Sequence, residues 1–251
     1  MSVDHSAMKL GARPHVHDAR VLPMARYVKA DALVWPSSCN HAAPLAAYPL
    51  RLNDQIGDCV IAALANYIVT AHYRATGQIL EISDAEVLAL YCRESGYNVS
   101  DPTTDTGCVA SNVFGNFAAV GAFGHGCRMA LGCSDLILPA IYLFGSTPLQ
   151  VALPTTAKTQ DVWDVSRDQS LTGDWEPGSW GMHEVLAVGY DATGLDVVTW
   201  GQIKRVTHRW ASIYVQQAFA LVGDDLFAAD GKTPDGFDLN ALLADIQQVA
   251  A

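Results

Sequence analysis

The spacing of apolar residues changes period near the middle of the chain. From Gly57 the run GDCVIAALANYIVTAHYRATG sets Val60, Leu64, Tyr67, Ile68 and Ala71 on one helical face and ends at Gly77, a suitable C-terminal stop. Ser83-Asp-Ala-Glu86 is a capping box, in which hydroxyl and carboxylate satisfy each other's orphan amides ahead of Val87, Leu90 and Tyr91. A second helix is predicted there, closing near Gly96, and a third, glycine-interrupted one over 109–121 follows a polar loop. Beyond it the pattern is β. Segments 149–153, 184–190, 195–200 and 218–222 are short apolar runs between turn residues, and Asp191-Ala-Thr-Gly194 is a hairpin-length turn that makes two of them antiparallel neighbours.

Three regions follow from this pattern. Residues 1–52 hold five of the eleven prolines and no sustained period, so an extended arm running over the surface is expected. Residues 53–222 form an α+β domain, a helical half packed on an antiparallel β half, with no internal repeat. Residues 223–251 form an acidic tail with six Asp and one Lys, in which Asp238 caps a short helix. Segment 155–179 is a polar insertion carrying Trp163 and Trp175 and leading into Trp180, long enough to wall a cleft. Between Asp161 and Glu176 it holds five acids and one base, which should bias such a cleft toward neutral or basic peptides.

Composition narrows the function classes. Half of the 251 residues are hydrophobic and only 16% charged, which excludes a disordered or coiled-coil chain. A net charge of −11 leaves few cations for phosphates, so nucleic acid is not an expected partner. The longest apolar stretch, 136–144, contains Pro139 and falls short of the roughly 18–20 residues that span a bilayer, and no secretory h-region precedes Gly11 and Pro14. A cytoplasmic location without membrane contact is expected. Six cysteines without a CxxC pair are expected to be free thiols, with no metal site and no cofactor.

One of these thiols has a special place. Cys59 begins the first helix directly after the polar loop Asn53-Asp-Gln-Ile-Gly-Asp58, where the helix dipole and unpaired amides should lower a thiol pKa. His183 begins a β run 124 positions later, near the roughly 130–150 typical of helix-cysteine and strand-histidine dyads. The two side chains are expected within hydrogen-bond reach. Trp180 lies beside His183 as a candidate cleft wall, and Glu184, on the opposite face of the strand, is expected to be solvated or to touch substrate.

Gly57-Asp-Cys59-Val-Ile-Ala-Ala, His183-Glu-Val-Leu-Ala-Val-Gly-Tyr190 and Val198-Thr-Trp-Gly201 together resemble the papain-like cysteine peptidases. The resemblance covers about residues 50–222. It implies a papain-like fold and a cysteine hydrolase acting on a peptide or protein, in which Cys59 is the nucleophile and His183 the base. The oxyanion amide falls to Asn53, with Gln55 as the alternative, and Trp175, Trp180 and Trp200 are candidates for substrate binding. Val198 occupies the place of the family's imidazole-orienting Asn, and Thr199 is the substitute beside it. Lys9-Leu-Gly and Pro177-Gly-Ser-Trp-Gly are similar to papain-like proteins encoded by tailed bacteriophages and bacteria, which implies a virion or host-cytoplasm setting. The alternative is a catalytically impaired papain-fold protein with a structural or binding role, in a phage virion or a homo-oligomeric assembly.

Overall fold

The computed structural model describes residues 4–28, 34–42 and 48–224, so the expected tail helix lies outside the described residues. In chain order the strands are β1 (Leu22–Pro23), β2 (Cys39–Asn40), β3 (Cys127–Gly132), β4 (Thr147–Leu153), β5 (Val162–Trp163), β6 (Gly181–Tyr190), β7 (Gly194–Thr199), β8 (Gln202–Thr207) and β9 (Val215–Gly223). The helices are α1 (Cys59–Thr76), α2 (Asp84–Ser95), α3 (Ala110–Val120), α4 (Ile137–Phe144) and α5 (His208–Tyr214). The strands form one sheet in the order β1-β3-β9-β4-β6-β7-β8-β5, with β2 added on β6. All pairs are antiparallel except β1 with β3 and β5 with β8.

The local rules act where the sequence placed them. The Ser83–Glu86 box caps α2, and Gly77 and Gly96 close α1 and α2 in left-handed conformation. The 191–194 turn joins β6 to β7 as an antiparallel pair. The elements not expected from the pattern are the two-residue strands β1, β2 and β5, together with β3, β8, α4 and α5. Of these, α4 is apolar all round, and so has no face to give a period.

Strand β6 divides two cores. Its odd-numbered Val185 and Ala187 pack with Trp163, Trp200 and Trp210 on the β side. Its even-numbered Leu186 and Val188 pack with Leu64, Tyr67 and Phe114 on the helical side. The arm does more than cross the surface: Met24 and Tyr27 are buried in the β-side core, and Gly11 and Ala12 are buried between the two halves. The insertion is likewise anchored. Trp163 is fully buried, stacks on Trp210 at 4.9 Å between ring centroids and donates to the Ala157 carbonyl at 3.1 Å, so it fills the core rather than walling a cleft.

Candidate functional site

Helix α1 starts at Cys59 and packs against β6, which carries His183 near its own start. The sulfur is fully buried and lies near the backbone amides of Glu184 and Gly11. The Glu184 amide belongs to the peptide that joins it to His183, so the thiol abuts the strand at the expected histidine. The imidazole lies on the β-side face, stacked on Trp200 at 4.5 Å. Its Nε2 pairs with Thr199 Oγ1 at 2.8 Å, while Nδ1 has no hydrogen-bond partner among the described residues. Thiol and imidazole therefore do not share the hydrogen bond expected from sequence.

Pleating explains why Thr199, and not Val198, reaches the imidazole. Val198 pairs with Leu186 and points with it into the helical core, so Thr199 faces the other way, toward His183. Trp200 and Gly201 then form the two-residue turn between β7 and β8, with φ of 45° and 74°. A tryptophan in left-handed conformation is strained, and here it lays the indole on the imidazole. Trp180 joins the same group, 5.4 Å from Trp200. Trp175 does not; it packs on the β-side core, where the Tyr214 hydroxyl donates to its carbonyl at 2.7 Å.

Asn53 is buried and Gln55 exposed. The Asn53 amide makes a long bond to the Ile56 carbonyl, 3.4 Å, and approaches the Asp58 carboxyl without closing a well-formed hydrogen bond. Glu184 departs from expectation. It does lie opposite His183, yet it is buried rather than solvated, on the Cys59 side, with neither carboxyl oxygen hydrogen-bonded among the described residues. Burial pushes its pKa well above the usual carboxylate range.

The most informative neighbour is the arm. It crosses between the two halves and bonds to both. On the helical side the Lys9 amide donates to the Asn53 carbonyl at 3.2 Å, and Cys108 exchanges backbone bonds of 2.8 Å with the Gly11 carbonyl and the Arg13 amide. On the sheet side Trp200 Nε1 donates to the Lys9 carbonyl at 3.4 Å, and Gln150 Nε2 to the Arg13 carbonyl at 3.0 Å. His5 stacks on Trp200 at 4.9 Å.

Covered in this way, the thiol is not the activated one expected at a helix start. Burial raises its pKa well above the usual thiol range, the Glu184 and Asp58 carboxyls add to the rise, and the two nearby backbone amides oppose it. Burial also depresses His183, to about 3, which keeps the imidazole neutral. Burial raises Asp58 to about 8. Because its folded pKa lies above its unfolded one, Asp58 should make the protein lose stability as pH rises from ~4 to ~8. Asp58→Asn is expected to flatten that limb and to gain about 1–3 kcal/mol at pH 8. Thermal melts at pH 5 and pH 8 check it; an unchanged pH dependence contradicts it.

No protein-family model and no curated protein sequence matches the chain. Solved structures do match. Procathepsin B S9 from Trypanosoma congolense superposes with a TM-score of 0.55 at 15% identity, over 88% of each chain. Digestive procathepsin L 3 of the Tenebrio molitor larval midgut gives 0.56 at 10% identity, over 86% of this chain and 76% of that one. The protein has a papain-like α+β fold.

Proposed function

We propose that the protein is a cysteine hydrolase of peptide or protein substrates, held closed by its own arm. The observation that carries this reading is the His183 ring. Thr199 holds it through Nε2, Trp200 packs on its face, and Nδ1 is without a partner among the described residues, which leaves it available to the thiol in the open form. In the open form Nδ1 takes the thiol proton and the thiolate attacks the scissile carbonyl carbon. The imidazolium then returns the proton to the leaving amine, and water, deprotonated by the same ring, releases the acid from the thioester. Asn53 and the Cys59 amide are the proposed oxyanion donors.

The arm as placed is an obstruction, because its backbone is bonded to both halves across the buried thiol. Peptide turnover is therefore expected from a form with the arm displaced, such as Gly11→Ala, whose new Cβ would lie 1.7 Å from the Gly57 carbonyl oxygen. In that background Cys59→Ser should bring hydrolysis of a mixed fluorogenic peptide library to the uncatalysed rate. Hydrolysis that persists in the Cys59→Ser chain contradicts the proposal.

A second reading is favoured by the covered thiol and its raised pKa: a papain-fold protein without turnover, serving as a binding or structural component, for instance in a phage particle. An inert Gly11→Ala chain that assembles at fixed stoichiometry would support it.

A further inference from the structure

Three glycines meet above the thiol. A Cβ on Gly11 would stand 1.7 Å from the Gly57 carbonyl oxygen, and one on Gly107 would stand 2.0 Å from the Gly11 carbonyl oxygen. Gly57 and Gly107 thus form the jaws of a slot through which the arm passes only as glycine. The jaws are braced from behind. The Asp105 carboxylate accepts from the Gly57 amide at 3.0 and 3.1 Å, and the Tyr91 hydroxyl donates to Asp105 while accepting from the Gly107 amide at 3.1 Å. Both braces come from outside the arm, so the narrow gap belongs to the site. The flanking arm residues are packed as well. Leu10 lies against Gly181, whose added Cβ would come within 2.8 Å of it, and Ala12 is buried against the helical core.

We infer that the site selects extended peptide segments of the pattern apolar–Gly–small, with the glycine over Cys59 and the apolar side chain at Gly181. The arm's Leu10-Gly-Ala12 is the internal copy of that pattern, and a segment from another chain competes with it for the slot. This selectivity rests on the hydrolase reading for its biological use but not for its detection, because occupancy of the slot shields the thiol whether or not turnover follows.

The test is the rate of Cys59 alkylation by iodoacetamide, resolved by site with mass spectrometry in the full chain. In wild type Cys59 should label slowly, and in Gly11→Ala at least tenfold faster, with the buried Cys127 and Cys133 unchanged. Adding the free peptide Lys-Leu-Gly-Ala-Arg to the Gly11→Ala chain should restore slow labelling, and Lys-Leu-Ala-Ala-Arg should need at least tenfold more peptide for the same protection. If Cys127 and Cys133 also label, the variant has unfolded, and Leu10→Ser, which removes the apolar anchor without a clash, takes its place in the same comparison. Equal protection by the two peptides, or protection by neither, overturns the inference. So does a folded Gly11→Ala chain that labels as slowly as wild type. Selective protection in a chain that hydrolyses no peptide upholds the slot and rejects the hydrolase.

Discussion

Truncating Trp163 to alanine is expected to destabilise the protein by about 3–5 kcal/mol, the range for removing a large aromatic from a packed core. The side chain is fully buried, stacked on Trp210 and set edge-on to Trp200 at 6.0 Å, and its ring nitrogen has a buried acceptor in the Ala157 carbonyl. Its loss opens a cavity beneath the indole that packs on His183 and strands that acceptor. At about 2–4 °C per kcal/mol for a chain of this size, the melting temperature should fall by roughly 10 °C. Trp163→Phe, which keeps most of the volume, should recover more than half of the loss. A shift of under 2 °C on Trp163→Ala would show that the 155–179 insertion is not part of the core.

Replacing His183 should have the largest effect on the proposed chemistry. In the Gly11→Ala background, His183→Ala removes the proposed base, and peptide turnover is expected to fall by about 10²–10⁴-fold. Thr199→Val tests the orienting role separately. It leaves Nε2 buried without a partner and the ring free to turn, so kcat should fall roughly tenfold with KM unchanged, and Thr199→Ser should restore it. Equal kcat for Thr199→Val and the parent would mean that Trp200 alone holds the ring.

Helices α1 to α3 and the turn at 191–194 were legible because each rests on a local rule: a helical period, a capping box, a glycine stop, a hairpin-length turn. The identity of the residue on Nε2 was not, since it depends on which face of β7 each side chain takes. That face is set by the pairing of Val198 with Leu186 and by the Trp200–Gly201 turn. Glu184 was misplaced for a related reason. Alternation puts it opposite His183, but both faces of β6 are interior, so the opposite face means burial beside Cys59 and not solvent. The course of the arm was hidden as well. Leu10-Gly11 carries no period, and its meaning lies in contacts with Gly57 and Gly107, about 50 and 100 residues away in sequence.

The pairing of Cys59 with His183 is tested most directly by covalent capture in the Gly11→Ala chain with a peptidyl epoxide, whose ring is opened by thiolate and whose alkoxide takes a proton from an imidazolium. The expected result is a single adduct on the fragment that carries Cys59, lost in Gly11→Ala/His183→Ala. An adduct on another cysteine, or one at Cys59 that forms equally fast without His183, would contradict it.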